Sequence, residues 1–171
     1  MNKWIFPIDE KRCPGVPINP HPGSFGAVRK YDIHCGVDLY CNNGQIVFAV
    51  EDGTIVRIEP FTGKNADCDW WLDTMCVKIE GQTGIICYGE IEPFENINVG
   101  DKVVAGQMIG YVVPVLPDRK FRRDIKGHSC SMLHVQIYKH GNLESCLHER
   151  PEDGIDPTEF LLNAMEDKRT I

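Results

Sequence analysis

Apolar and polar residues alternate along several short stretches of the chain, most clearly in residues 32–41, DIHCGVDLYC. A period of two is typical of a β-strand with one buried face and one polar face. We therefore predict a strand here, with its apolar side against a core and a histidine and two aspartates on the other side. The apolar side comprises Ile33, Cys35, Val37, Leu39 and Cys41, and the polar side comprises Asp32, His34, Gly36, Asp38 and Tyr40.

Two glycine-containing turns predict hairpins later in the chain. Residues 45–59 contain two apolar runs around Asp52-Gly53, a dipeptide favoured in tight hairpin turns. Residues 75–91 contain a second pair of runs around a turn at Gly81–Gly84. We expect each pair of runs to form two adjacent antiparallel strands.

The remaining pattern is also mostly that of strands. Residues 99–116 contain short apolar runs between glycines, and residues 131–141 alternate again before a turn glycine. A helix is favoured only from about residue 156, where Asp156 offers an N-cap and Pro157 suits the first helical position. The predicted fold class is therefore mainly β: a single-domain antiparallel β-sheet core with a short C-terminal helix.

The composition fits one globular domain. The chain has 171 residues, of which 42% are hydrophobic and 25% charged, and this is enough for a sizeable core. The formal net charge of −7 argues against general nucleic-acid binding, and no apolar run approaches the ~20 residues that span a membrane. The start, MNKWIFPIDEKRCP, contains no signal-peptide apolar core, so we expect a cytoplasmic protein as the sequence stands. Delivery to the cell wall by lysis, or a leader removed from the chain, stays open.

The eight cysteines favour free thiols over a disulfide framework. None forms a CxxC pair, which argues against a zinc ribbon or a thioredoxin-type motif. Cys35 and Cys41 fall on one predicted strand about 20 Å apart, whereas bridged Cα atoms lie within about 7 Å. We expect the thiols to be buried and reduced.

Two histidines and an aspartate are candidates for a metal site. His34 and Asp38 share the polar face of the first predicted strand, and His134 shares a face of a later strand with Met132 and Gln136. If the two strands are neighbours, two imidazoles and one carboxylate meet. This is the donor set of a catalytic zinc site that keeps its fourth position for water. Spacing alone leaves the alternative that each histidine is an ordinary surface or core residue.

From Phe25 to Leu161 the chain resembles the lysostaphin/LytM-type zinc endopeptidases of peptidase family M23. The matching motifs follow the family's order: HxxxD within FGAVRKYDIHCGVDLY, then VFAVEDGTIVRIE, INVGDKVVAGQMIGYV, MLHVQIYKHG and GIDPTEFL. The resemblance implies an antiparallel β-sheet with a groove over it, Zn²⁺ as the cofactor, and His34, Asp38 and His134 as the zinc ligands.

The same resemblance implies a substrate and a domain plan. The family cleaves peptide cross-links or stems of bacterial peptidoglycan. The expected partner is therefore a peptide or peptidoglycan, with neither nucleic acid nor a membrane span involved. We divide the chain into an N-terminal extension packed on the domain (residues 1–24), the M23-like β domain (residues 25–162) and a C-terminal tail (residues 163–171).

Two positions depart from the family's pattern, at histidines that act in catalysis without binding zinc. Glu90 stands at the histidine of the YxH motif, and Met132 stands at the first histidine of HxH. A thioether cannot carry a proton, whereas a carboxylate accepts one from water activated by zinc. Glu90 is interpreted as a substitute general base, a fourth zinc ligand that closes the site, or a residue that faces solvent. Tyr88, close to Glu90, either helps to hold the oxyanion or serves only to pack.

Irregular segments are candidates for the groove walls, because binding residues often lie on loops of a rigid β scaffold. Trp70 and Trp71 either line the groove and stack against substrate or fill an apolar gap, and Met132 would shape the pocket. The basic residues of segment 119–126 either meet anionic cell-wall polymer or form a solvated loop. His128 either replaces the lost histidine or lies exposed.

Two functions therefore stay open. The favoured one is a zinc-dependent endopeptidase of peptidoglycan in which Glu90 acts as the base. The other is a catalytically inactive, zinc-stabilised binding domain, because one animal branch of the family binds zinc, lacks peptidase activity and also departs from the YxH pattern. In that branch Cys41 has a counterpart, so the resemblance leaves a Cys13–Cys41 bridge open for an exported protein.

Overall fold

The computed structural model describes residues 3–117, 131–141 and 151–171. Its regular structure consists of antiparallel strands and one short α-helix near the C-terminus, which confirms the predicted fold class. The strands are β1 (Val37–Cys41), β2 (Ile46–Phe48), β3 (Gly53–Thr62), β4 (Thr74–Gly81), β5 (Ile85–Pro93), β6 (Lys102–Val103), β7 (Met108–Val112), β8 (Ser131–Tyr138) and β9 (Gly154–Ile155), and the helix is α1 (Thr158–Ala164).

One sheet contains all of these strands. Its main path runs in the order β1-β8-β5-β4-β3-β6, while β7 pairs with β2 and β5, and β9 pairs with β8. The β4–β5 pair is the hairpin predicted for residues 75–91, with Ile79 opposite Ile86. This order places β8 between β1 and β5, so residues far apart in the chain meet across three adjacent strands.

The hairpin predicted for residues 45–59 is wrong. Both apolar runs form strands, but β2 pairs with β7, and β3 pairs with β4 and β6. Gly53 does not turn the chain between two partners. It begins β3 opposite Gly81, where a β-carbon on Gly53 would lie 2.6 Å from the carbonyl oxygen of Glu80. A glycine is needed here because two backbones approach closely.

The first predicted strand is shorter than its alternation suggests. β1 begins only at Val37, and Val28 and Ile33 before it form an isolated antiparallel bridge. Ile33, expected against the core, is 47% exposed. In contrast, all five residues of β1 are buried, including Asp38 and Tyr40 on the polar side. The polar face is covered because the preceding segment folds over it, with the Gly23 carbonyl accepting the Asp38 N–H at 2.9 Å.

One apolar core joins both ends of the described chain to the sheet. Trp4, Phe6 and Ile8 from the N-terminal segment lie in the same buried cluster as Leu161 and Met165. These residues bury a large apolar area, which is the main favourable contribution to folding. The division at residues 24 and 162 stays a prediction.

The helix begins one residue later than its sequence suggests. Pro157 is the N-cap residue, and Thr158 is the first helical residue. Asp156 still caps the helix from outside, because its Oδ1 accepts the Thr158 N–H at 2.8 Å. No helix in the described ranges has the length and apolar character needed to cross a membrane.

Candidate metal centre

The pairing of β1 with β8 builds the candidate site. Its register places Asp38 directly opposite His134, and on the other side of β8 the same histidine lies opposite Gly89 of β5. Directly opposed residues of neighbouring strands present their side chains on the same face of the sheet. The strand adjacency that the sequence-based metal site requires is therefore present.

His34 reaches the same point from the segment before β1. Its backbone N–H donates to the carbonyl of Ala27 at 2.9 Å, and the residue is 4% exposed. The ring Nδ1 lies 2.9 Å from the carbonyl oxygen of Ser24. Because a carbonyl oxygen can only accept, Nδ1 carries the proton of the neutral ring, and Nε2 keeps its lone pair for another partner.

Three donor atoms converge at this point: His34 Nε2, Asp38 Oδ1 and His134 Nδ1. His34 Nε2 lies 3.1 Å from Asp38 Oδ1 and 3.2 Å from His134 Nδ1. Asp38 Oδ1 and His134 Nδ1 lie 2.9 Å apart. Ligands about 2.0–2.2 Å from a tetrahedral zinc ion stand about 3.3–3.6 Å from one another. The donor separations therefore suit a metal ion with little movement. Among the residues that the structure describes, only this group of His, Cys, Asp and Glu is close enough to hold an ion.

Without a cation these three atoms are rich in electrons. His34 Nε2 has no proton to donate in the neutral ring, and His134 Nδ1 has at most one. The three short contacts therefore share at most one proton. In the contacts without a proton, two lone pairs face each other and repel. A positive ion between the atoms removes this repulsion, so the donor chemistry fits a divalent metal.

Arg29 fixes the second oxygen of Asp38. Its Nη2 donates to Asp38 Oδ2 at 2.5 Å, and the guanidinium also donates to the carbonyl of Pro22 at 3.1 and 3.0 Å. Burial alone would raise the pKa of Asp38, but the adjacent His34 and His134 outweigh this effect and hold the pKa well below its usual range. Asp38 is therefore ionised, with Oδ1 turned towards the two rings.

The ring of His134 is closely confined. A β-carbon at Gly36 would lie 2.6 Å from its Cε1 and 2.7 Å from its Nε2. The ring of Phe61 on β3 lies against it with centroids 5.1 Å apart, and a β-carbon at Gly89 would come within 2.5 Å of Phe61. The ring Nε2 lies 3.2 Å from Gln136 Oε1. The two glycines are thus required for the close approach of both aromatic rings.

A bulge in β5 places Glu90 near Asp38 and His134. The pairing of β4 with β5 passes from Ile91 to Gly89 without a partner for Glu90, whose φ of 64° lies in the left-handed region. Bulges of this kind redirect a side chain relative to regular alternation. Glu90 is only 5% exposed, so the interpretation that it faces solvent is wrong.

The carboxyl group of Glu90 is an unusual buried acid. Its Oε2 has no hydrogen-bond partner in the described structure. Burial, together with the negative charge of Asp38, raises the pKa of Glu90 to about 8, while His134 and Arg29 act in the opposite direction. Glu90 is not part of the mutually close donor group, so this geometry does not use it as a fourth ligand.

Comparison with known proteins places these motifs in one family. The sequence profile described as peptidase family M23 matches residues 32–144, more than half of the chain. The chain belongs to peptidase family M23. Among curated proteins, leukocyte cell-derived chemotaxin-2 of Mus musculus is 26% identical to this M23 chain over 140 residues, which cover 81% of the chain and 73% of that protein.

Solved structures show the M23 fold across nearly the whole chain. LytU is 21% identical, with a TM-score of 0.58 over 98% of this chain and 95% of its own. The catalytic domain of the antimicrobial peptidase lysostaphin from Staphylococcus simulans is also 21% identical, with a TM-score of 0.51 over 88% of each chain. Csd3 of Helicobacter pylori is 18% identical with a TM-score of 0.54, and this chain spans about a third of its length, 33%.

Tyr88 lies in the core of this M23 protein rather than at its donor group. It is fully buried, and its hydroxyl accepts the backbone N–H of Val50 at 2.8 Å. Burial raises the pKa of Tyr88 far above its usual range. Of the two roles predicted from the sequence, the structure therefore gives Tyr88 packing and not the oxyanion contact.

The predicted groove residues differ in exposure. Trp70, between β3 and β4, is 57% exposed, whereas Trp71 and Met132 are partly buried. Met132 lies opposite Tyr40 in the β1–β8 register. A role of these side chains in binding stays a prediction. His128 and the basic segment 119–126 lie outside the described residues.

Two residues that orient this M23 centre were missed by the sequence analysis. Ser24 acts through a backbone carbonyl, which any residue carries, so its identity gives no indication. Arg29 lies between the exposed residues of the Val28–Ile33 bridge, outside any regular alternation. Its position nine residues before Asp38 becomes meaningful only when the chain folds back over β1.

Proposed function

We propose that this M23 protein is a zinc-dependent peptidase that cleaves peptide bonds in peptidoglycan. One observation carries the proposal: two imidazole nitrogens and a carboxylate oxygen lie within 3.2 Å of one another beside a buried glutamate with a free oxygen. Nitrogen and carboxylate donors in this ratio suit Zn²⁺. Bound in such a site, zinc supplies Lewis acidity, which acidifies water and polarises a carbonyl group.

Each residue of the centre has a separate task in this proposal. His34, Asp38 and His134 hold the ion, and Arg29 keeps the carboxylate of Asp38 turned towards it. Glu90 accepts a proton from the attacking water and passes it to the leaving amine. A raised pKa suits this task, because a general base works best when its pKa lies near the working pH.

The substrate is inferred from the family and from the surface. Lysostaphin, whose catalytic domain shares the fold, is an antimicrobial peptidase. Trp70 offers an exposed aromatic surface on which a peptide or sugar can stack, and Met132 shapes the pocket beside the ligand His134. Peptidoglycan supplies both kinds of group.

A second candidate function is a zinc-stabilised binding domain without peptidase activity. The curated relative is a chemotaxin by name, and Met132 stands where a proton carrier is expected. In this case the metal ties β1 to β8, and the exposed surface of the domain recognises a partner. The two candidates share the metal and differ in chemistry.

The metal is tested first. Purified protein is expected to hold about one zinc ion per chain, and His34→Ala and His134→Ala should each abolish its retention because two donors cannot hold the ion tightly. Elemental analysis after dialysis measures this content. His140→Ala is the matched control, since His140 is an exposed histidine that contacts Glu80. A wild type that contains no zinc and regains none when zinc is added would refute the proposed metal centre.

Activity is tested by digestion of purified peptidoglycan and glycine-rich peptides, with new amines counted over time. We expect cleavage by the wild type, none by a zinc-stripped sample, and a loss of about 10²–10⁴-fold in Glu90→Gln, the usual range for a removed general base. Glu92→Gln, an exposed carboxyl on the same strand, is the control.

Three outcomes separate the alternatives. Equal cleavage by Glu90→Gln would move the base to another residue. No cleavage by any zinc-loaded sample, together with zinc-dependent retention of a cell-wall fragment or a protein partner, would favour the binding domain. Cleavage that survives removal of zinc would contradict both candidates.

A further inference from the structure

The imidazole of His134 has a possible hydrogen-bond acceptor at each of its two nitrogens. Nδ1 faces Asp38 Oδ1 at 2.9 Å, and Nε2 faces Gln136 Oε1 at 3.2 Å. A neutral imidazole carries one proton, so it can donate to only one of these oxygens. The choice matters because a proton on Nδ1 occupies the atom that faces His34 and Asp38.

We propose that Gln136 is a positioning residue that keeps the proton of His134 on Nε2 and so leaves Nδ1 free to bind the metal ion. This inference rests on the proposed metal centre. The amide oxygen of Gln136 can only accept, and the residue is 1% exposed, so bulk water does not replace it. Partners of this kind beyond the direct ligands fix the tautomer and orientation of metal-binding histidines.

The strand supplies this contact directly. Residues 134 and 136 are separated by one position on β8, so their side chains leave the same face of the sheet. His34 is held in the complementary way, with Nδ1 donating to the Ser24 carbonyl and Nε2 facing the donors. The two rings therefore present opposite nitrogens to one point, each fixed by an acceptor on its far side.

Loss of the Gln136 oxygen has a defined effect. The acceptor that faces Nε2 is then gone, while the Asp38 carboxylate still faces Nδ1, so the balance between the two tautomers shifts towards a proton on Nδ1. Metal binding must then displace that proton. The ring itself stays in place, because Gly36 and Phe61 confine it.

The role is tested with Gln136→Leu, which removes the acceptor, and Gln136→Glu, which keeps one. Zinc affinity is measured by competition with a chromophoric chelator, and the tautomer of His134 by ¹⁵N NMR of the zinc-free protein. We expect Gln136→Leu to bind zinc 10–100-fold more weakly, with its His134 proton on Nδ1. Gln136→Glu should stay within a few-fold of the wild type. Gln45→Leu removes another buried amide and is expected to leave zinc affinity unchanged.

The wild-type tautomer keeps the test decisive even where Gln136→Leu fails to fold. A zinc-free wild type with the proton of His134 on Nδ1 would overturn the role. Wild-type zinc affinity in Gln136→Leu, or weak binding with the proton still on Nε2, would do the same. A wild type with the expected tautomer that takes up no zinc would instead refute the proposed metal centre, and with it the proposed role of Gln136.

Discussion

At the scale of single residues, Glu90 joins a strained backbone to a buried acid. A non-glycine residue in the left-handed region costs on the order of 1 kcal/mol or more, and such residues concentrate at functional sites. Here the strain belongs to the bulge that brings the carboxyl group beside Asp38 and His134. Unpartnered and buried, this carboxyl group destabilises the fold whenever it is ionised.

The folded metal-free protein is therefore expected to lose stability as pH rises. Glu90 has a folded-state pKa of about 8 against an ordinary 4.5. The contribution of Glu90 to the free energy of unfolding is fully present below pH 4.5. It declines between pH 4.5 and about 8, because the unfolded chain releases the proton first, and it does not change further above about pH 8. Relative to Glu90→Gln, the wild type should lose a few kcal/mol of unfolding free energy across this window. Urea unfolding of zinc-free samples at pH 5, 7 and 9 measures the difference. The same pH profile in both proteins would refute the buried-acid assignment.

Among the elements, β1 and β8 are joined by a close approach at the centre. Gly36 lies one residue before β1, where an added methyl group would meet both the His134 ring and the carbonyl oxygen of Val135, each at 2.6 Å. Neither neighbour can give way easily, because one is a metal-ligand candidate and the other is strand backbone.

Gly36→Ala should therefore push His134 away from Asp38. We expect a loss of about 1–3 kcal/mol in the free energy of unfolding, the usual cost of overpacking, and at least a tenfold loss in zinc affinity. Thermal melts and chelator competition measure the two effects. Cys35→Ala, at the partly exposed neighbouring position, is the control and should change both by much less. Wild-type values for Gly36→Ala would mean that the strands adjust freely at this point.

The elements also mark what a sequence pattern can and cannot predict. The β4–β5 hairpin was predictable because its two strands are joined by a short turn and pair with each other. The partners of β2 and β3 were not, since pairing with β7 and β6 depends on contacts distant in sequence. Regular alternation puts Tyr88 and Glu90 on one face, and a single inserted residue gives them different surroundings. The ligand candidates followed from motif resemblance, whereas the orienting contacts of Ser24 and Arg29 required the folded chain.

At the scale of the whole molecule, the core holds thiols as well as apolar side chains. Cys13 and Cys41 are free thiols, and both are buried in the main core. Burial raises the pKa of Cys13 to about 11, and burial with the nearby Cys13 raises that of Cys41 to about 12. Thiols in this state are poor nucleophiles, because the thiolate is the reactive form. The cytoplasmic location expected from the sequence stays a prediction.

The thiol state gives a direct measurement. In the native protein at pH 7, Cys13 and Cys41 should react with a thiol reagent far more slowly than after unfolding. After denaturation without a reductant, most of the eight cysteines should titrate. Peptide mapping that finds a Cys13–Cys41 disulfide would contradict a reducing location and support export.

The register of β1 against β8 also has a consequence for the unfolding of the chain. His34 and His134 are 100 positions apart in sequence, yet their ring nitrogens lie 3.2 Å apart. An ion held by both would act as a reversible cross-link that closes a very long loop. For a disulfide, a loop of this size removes denatured-state entropy equivalent to roughly 4–5 kcal/mol. Because the ion binds only when the loop is closed, metal affinity and folding free energy become linked quantities. The occupancy of the centre then reports whether the sheet as a whole is intact.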